Sequence, residues 1–213
     1  MVSLRGWQSF PEELPSFDPD AAPETPEDLF LEWLTEAAEH VLAPHAVTLS
    51  TVDSEGVPDA RVVILKDVAP SAWAIATSSE SPKGHQLGAN PHAALTFFWP
   101  GRGRQVRVRG TVAPAAPEIS AEDFLARPPA SRVEAFIGHQ SEPLPDPAKL
   151  TEAADAATHW VAENPHTAPK TWTRYLVTPT TVEFWQASHD RRHLRLRYLR
   201  AADDTWTRER LWP

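Results

Sequence analysis

The sequence predicts one mainly β domain with interspersed helices (α+β), a barrel or sandwich in architecture, on three observations. Period-two alternation of apolar and polar residues begins at Ala46 and returns in short segments to the C-terminus, with turn residues between them. Four stretches with helical spacing interrupt those segments and a fifth precedes them, which makes the class mixed. A chain of 213 residues with 41% hydrophobic content buries one core more readily than two small ones.

Residues 1–24 are rich in Pro, Asp and Glu without periodicity, so they read as a flexible arm or a segment lying on a partner surface, before a single domain over 25–213. Thr25 and Pro26 then form a helix start, and Leu29, Phe30, Trp33, Leu34, Ala37 and Val41 make one apolar stripe to about Val41. Ala46–Val52, a turn at Ser54-Glu55-Gly56 and Ala60–Lys66 make a hairpin. Further strands are expected at Ala72–Thr77, Ala93–Trp99, Gln105–Val112, Thr171–Val177, Thr181–Gln186, His193–Leu199 and Thr205–Leu211. The remaining helices are expected at Lys83–Ala89, Ala121–Ala126, Arg132–Gly138 and Pro147–Glu163.

Composition narrows the chemistry. With no cysteine, disulfides, thiolate metal sites and cysteine nucleophiles are excluded. A net charge of −9 argues against nucleic acid as a partner. The lack of a long apolar run or a secretory leader argues against a membrane and for the cytoplasm. The charge is uneven: residues 1–40 hold ten acids against one Arg, while 191–210 hold seven Lys or Arg. A basic C-terminal strand pair in an acidic protein suits a small anionic ligand or a solvated strand face.

Several motifs bear chemistry. Arg61 and Lys66 flank an apolar run. Ser81-Pro82-Lys83 has the form of a helix N-terminus in which free N–H groups, the helix dipole and a cation make an anion site. Gln105, Arg107 and Arg109 share one strand face, which is either solvated or ligand-lining. Ser120 to Asp123 and Ser131 to Glu134 fit capping boxes, and Ser131 with Arg127 upstream also fits a phosphate cradle. Arg191, His193 and Arg195 in an extended segment point one way, close to Trp185. His189 and His193 lack a third ligand, so no metal is expected.

Taken in order, Arg61 to Lys66, Ser81-x-Lys83-x-x-Gln86, Arg104-Gln105-Val-x-Val-x-Gly110, Arg127-Pro-x-x-Ser131, Gln140-Ser141, Phe184-Trp185-Gln186, Arg191-x-His193-x-Arg195 and Arg210-Leu-Trp-Pro213 resemble the pyridoxamine 5'-phosphate oxidase family. The resemblance implies a split β-barrel homodimer with flavin mononucleotide (FMN) at the subunit interface. It implies cofactor contacts at Arg61, Lys66, Thr77, Ser81, Lys83, Gln105, Gln140, Ser141, Trp185 and Arg195. Lys66, Arg127 and Ser131 would hold the substrate phosphate, and Arg191 and His193 would act as the catalytic pair against the ring and the reacting carbon. The implied reaction passes a hydride from the substrate C4' to flavin N5 and then electrons to oxygen, giving pyridoxal 5'-phosphate and hydrogen peroxide. Three positions depart from the family pattern: Asp123 in place of a phosphate-binding Tyr, Pro82 in place of an Arg, and Ala76 in place of an aromatic. A phenazine-biosynthesis branch that oxidises dihydro-aromatic intermediates shares the pattern; Asp123 and Pro82 favour it, while Arg127, Ser131, Arg191 and His193 favour the phosphorylated pyridine. A flavin-binding protein without turnover is the alternative from another class.

Overall fold

The computed structural model describes residues 3–213; Met1 and Val2, the start of the expected arm, lie outside the described residues. The Thr25 hydroxyl accepts the Asp28 N–H and caps helix α1 (Pro26–Ala38). Leu29, Phe30, Trp33 and Ala37 are all buried, and Phe30 packs on Trp73 and Phe97 with ring centroids 4.3 and 4.8 Å away. The helix stops short of the predicted Val41. Pro44 lacks an N–H for a further turn, and the chain turns back at Ala43 with φ 48°.

Beyond α1 the alternation closes a barrel. Strands β1 (Ala46–Val52), β2 (Pro58–Ala69), β3 (Ala72–Ser78), β4 (His92–Trp99), β5 (Arg104–Pro114) and β6 (Trp172–Gln186) pair antiparallel in the order β3-β2-β1-β4-β5-β6, and a β3–β6 ladder closes the ring. Strands β7 (Leu194–Arg200) and β8 (Trp206–Arg210) extend the sheet from the C-terminal half of β6. Inward positions such as Leu49, Ile75, Leu95, Phe97, Val106, Val108, Val182 and Phe184 are buried, and apart from Ala74 and Glu183, which are buried too, their strand neighbours are more exposed. Each large side chain so placed contributes about 1.5–3 kcal/mol, which is why the alternation sets the register. The fold is the mainly β, helix-bearing barrel that the sequence predicts.

The predicted strands 171–177 and 181–186 are one strand in the structure. Pro179, which reads as a breaker, sits where the β5–β6 register shifts between Arg109 and Gly110, so its missing donor falls at a bulge. Gly110 is required there. A Cβ on it would stand 2.0 Å from the Thr178 carbonyl oxygen, a backbone atom. Gly110→Ala is expected to destabilise the fold by about 3 kcal/mol, read as a lower denaturant midpoint.

Helices α2 (Pro82–Ala89), α3 (Pro117–Leu125), α4 (Pro129–Ile137) and α5 (Pro147–Glu163) fill the connections. Each begins with a proline in its first turn. That signal outranks the two capping boxes. Ser120 lies inside α3, buried, and its hydroxyl accepts the Arg174 N–H; Ser131 lies inside α4. Trp160 packs on Phe136, Phe136 on Phe124 and Phe124 on Trp172, which fixes α5, α4 and α3 against the start of β6. Residues 3–24 have neither helix nor strand and run along their own chain. Phe17 meets Trp33, Asp20 pairs with Arg210, and the Pro23 carbonyl accepts the Tyr198 hydroxyl. Among the described residues no helix is long and apolar enough to cross a membrane.

Candidate functional site

The expected site residues separate into two groups at opposite ends of β6. The first group lines one cleft of about 1310 Å³ between β2, β3, α2 and α4, and contains Arg61, Lys66, Thr77, Lys83, Arg127, Ser131, Gln140 and Ser141. The second group, Gln105, Trp185, Arg191, His193 and Arg195, lies outside that cleft.

At the first end, α2 supplies an anion seat. Ser81 caps the helix: its hydroxyl donates to the Ser78 carbonyl and accepts the Gly84 N–H. The expected cofactor contact through this side chain is thereby corrected. It is fully buried, both its hydrogen-bonding functions are used within the loop, and it does not line the cleft. Gly84 lets the helix press on that loop, since a Cβ would fall 2.3 Å from the Ser79 carbonyl oxygen. Lys83 follows the cap, 8% exposed, and its ammonium forms no ion pair among the described residues. Burial, and then the neighbouring Arg61 cation, push its pKa down. A largely buried ammonium at the helix N-terminus, beside the one first-turn N–H left free, that of Lys83, is short of an anion, so these residues fit a phosphate such as that of a flavin nucleotide. Arg61 lies beside it, held by Thr51, Asp59 and Gln86, with Gln86 Oε1 3.1 Å from its Nη2.

A second cationic station faces the same cleft. The β2–β3 register shifts between Leu65 and Asp67, and the extra residue at this bulge is Lys66. Its Nζ stands 3.5 Å from Asp123 Oδ1. Asp123 Oδ2 accepts the Trp172 indole N–H at 2.9 Å. The Arg127 guanidinium lies 4.2 Å over the Trp172 ring, and its Nη1 is buried without a partner. Burial pushes the Arg127 pKa down, opposed by Glu134 and Asp123. Arg132 fixes the segment by donating to the Leu125, Arg127 and Pro165 carbonyls. The capping-box spacing from Ser120 leaves open whether Asp123 caps its own helix or meets a ligand. Its carboxylate turns to Lys66 and Trp172, behind the residues that line the cleft, because α3 starts at Pro117 and puts residue 123 on a later turn.

At the other end of β6, Gln105, Trp185 and Arg195 form one cross-strand row. Arg195 is clamped by Glu183, at 3.0 Å from Nε and 2.8 Å from Nη2, and by the Trp212 carbonyl. Glu183 is 5% exposed and also meets Arg107 at 3.4 Å. The His193 ring lies 4.8 Å from Trp185. Its Nδ1 accepts the Ser188 N–H at 3.0 Å, so the neutral ring carries its proton on Nε2 and donates from there. Strand β7 begins at Leu194, not at His193, and Arg191 has φ 66°, so the expected alternation through Arg191 is broken. The cause is a turn built by Asp190, which binds the Ser188 hydroxyl, the Arg192 N–H and the Arg192 guanidinium. Those bonds, in that order, hold the Asp190 carboxyl well below the usual carboxylate range. Arg191 is exposed and its guanidinium is unpaired among the described residues.

Glu183, Gln86, Trp172 and Arg132 were not singled out from the sequence as site residues. Glu183 had a readable signal, as it lies diagonal to Arg195 once β6 and β7 are paired. Trp172 and Arg132 had none, since their partners are set by helix packing.

Comparison with known proteins agrees with this geometry. Residues 34–161 match the family model described as pyridoxamine 5'-phosphate oxidase, and residues 172–213 match the pyridoxine 5'-phosphate oxidase C-terminal dimerisation region. The chain is 38% identical over 195 residues to a pyridoxine/pyridoxamine 5'-phosphate oxidase of Pseudomonas fluorescens, covering 90% of each. It is 40% identical over 200 residues to one of Hyphomonas neptunium, covering 92% of this chain and 91% of the relative. Among solved structures it resembles PhzG from Burkholderia lata in complex with tetrahydrophenazine-1-carboxylic acid, with a TM-score of 0.85 and 28% identity over 97% of this chain and all of that one. The chain belongs to the pyridoxamine 5'-phosphate oxidase family of flavin-dependent oxidoreductases.

Proposed function

We propose that the protein is an FMN-dependent oxidase that converts pyridoxamine or pyridoxine 5'-phosphate to pyridoxal 5'-phosphate, with oxygen as acceptor and hydrogen peroxide as product. The observation that carries this reading is the presence of two cationic stations in one cleft, Lys83 with Arg61 and Lys66 with Arg127. One seats a cofactor phosphate and the other a substrate phosphate. The relatives' names and the family model support the same assignment.

Bound FMN supplies the redox chemistry, accepting a hydride from the substrate carbon and passing electrons to oxygen. The chain's own residues bind and orient. Lys83, through its ammonium and its own N–H at the α2 N-terminus, holds the cofactor phosphate, while Arg61, Lys66, Thr77, Gln105, Gln140, Ser141, Trp185 and Arg195 meet the rest of it. Arg127 and Ser131 hold the substrate's acid group from the α4 side. His193 donates from Nε2 and Arg191 presents a free guanidinium, so the pair polarises a ring substituent. Glu183 keeps Arg195 in place.

Within one chain none of the second group lines the cleft that holds the first, and the two lie at opposite ends of β6. A homodimer whose partner brings the Trp185–His193 end onto the Lys83–Arg127 cleft completes the site. The C-terminal dimerisation region supports that assembly.

A second reading keeps flavin and dimer but oxidises another ring compound; the Asp123 carboxylate at 3.5 Å from Lys66 favours it. The test is anaerobic addition of pyridoxamine 5'-phosphate to the flavin-loaded protein. Bleaching of the visible flavin band, with return of colour in air, is expected. A band that dithionite bleaches but this substrate does not would move the assignment to the second reading.

A further inference from the structure

We propose that Asp123 is a specificity-determining residue that tunes the Lys66–Arg127–Ser131 end of the cleft for a singly charged oxyanion in preference to a phosphate dianion. The inference rests on the reading that this end receives the substrate's acid group. Lys66 from β2, Arg127 after α3 and Glu134 from α4 line it, and Asp123 from α3 stands behind Lys66, 3.5 Å from its ammonium. Asp123 offsets the Lys66 charge, which leaves Arg127 as the cation of this end without an ion-pair partner among the described residues.

Asp123 is not a bystander in that set. Its side chain is 8% exposed, it is tied by the Trp172 indole N–H, and its free oxygen lies on the ammonium that a phosphate would need. A dianion entering here competes with Asp123 for Lys66 and stands close to a like charge in a partly buried site. A monoanion, such as a ring carboxylate or a singly ionised phosphate monoester, meets half of that repulsion and is satisfied by Arg127, whose Nη1 lacks a partner, and by the Ser131 hydroxyl. Trp172 is held edge-on by Asp123 and covered by Arg127, so the arrangement is rigid on both sides of the carboxylate.

Asp123→Asn separates charge from structure, because the amide keeps the volume and can still accept the Trp172 N–H. Binding of pyridoxal 5'-phosphate to the flavin-loaded protein at pH 8, where a phosphate monoester is a dianion, is expected to tighten by roughly tenfold in the variant. Binding of unphosphorylated pyridoxal is expected to stay unchanged. With pyridoxamine 5'-phosphate as substrate the KM falls in parallel while kcat stays near its original value, a split that a merely structural role would not produce. Asp123→Ser, which removes the charge with a smaller side chain, should tighten pyridoxal 5'-phosphate binding in the same direction. Equal or weaker pyridoxal 5'-phosphate binding in both variants overturns the proposal. Tighter binding in the variants with no oxidation of pyridoxamine 5'-phosphate by any form sustains the role of Asp123 and removes the oxidase reading. Oxidation by all forms with unchanged KM and affinity does the reverse.

Discussion

Replacing Lys83 by Met is expected to act in opposite directions on cofactor binding and on apoprotein stability. The ammonium is nearly buried at the start of α2, makes no ion pair among the described residues, and has its pKa pushed down by burial and by Arg61. In the apoprotein its charge is a net cost. A lysine whose folded pKa is depressed carries its full cost below that pKa and regains stability as pH rises through it toward the unfolded value. Met keeps the apolar stem and removes the charge, which should raise apoprotein stability by on the order of 1 kcal/mol. The same change removes a charge-assisted bond to the cofactor phosphate, about 2–3 kcal/mol, or roughly 30–100-fold in FMN affinity. Thermal denaturation of the apoprotein and fluorescence titration with FMN read the two effects separately. A destabilised apoprotein with unchanged flavin affinity would show that Lys83 is a packing residue.

The barrel was legible because inward and outward positions alternate along nearly every strand, and burial of Leu49, Leu95, Val106 and Val182 follows that pattern. What local pattern missed was decided by tertiary pairing. Pro179 looked like the end of a strand until the β5 bulge at Gly110 absorbed it. Ser120 and Ser131 had capping-box spacing, yet Pro117 and Pro129 started those helices earlier. The cap at Ser81 with Pro82 after it was legible for the opposite reason, since nothing upstream competed with it.

Arg61, Lys66, Thr77 and Lys83 gather in one cleft because β2, β3 and the N-terminus of α2 are neighbours in sequence as well as in space, whereas Arg127, Ser131, Gln140 and Ser141 join them through tertiary packing around α4. The turn at Asp190 was hidden in an Arg-rich segment that reads equally well as continuous strand, and it changes where Arg191 points. The direction of Asp123 depended on where α3 begins. Its bond to Trp172 joins positions far apart in the sequence, which no local pattern records.

Mixing two inactive variants is expected to restore activity, and this tests the composite site most directly. Lys83→Ala removes the cofactor seat at one end of β6, and His193→Ala removes the Nε2 donor at the other. Alone, the first should lose flavin and the second should keep flavin but turn over slowly. If each site takes its Lys83 end from one subunit and its His193 end from the other, a heterodimer of the two variants has one doubly damaged site and one intact site. Co-expressed heterodimer purified with two different tags should then show about half of the original activity, and a random mixture about a quarter. Were each site built within one chain, every site would carry a lesion and no activity would return. Recovery is expected because the cleft that holds Lys83 is lined by none of Gln105, Trp185, Arg191, His193 and Arg195 of the same chain, which lie at the other end of β6.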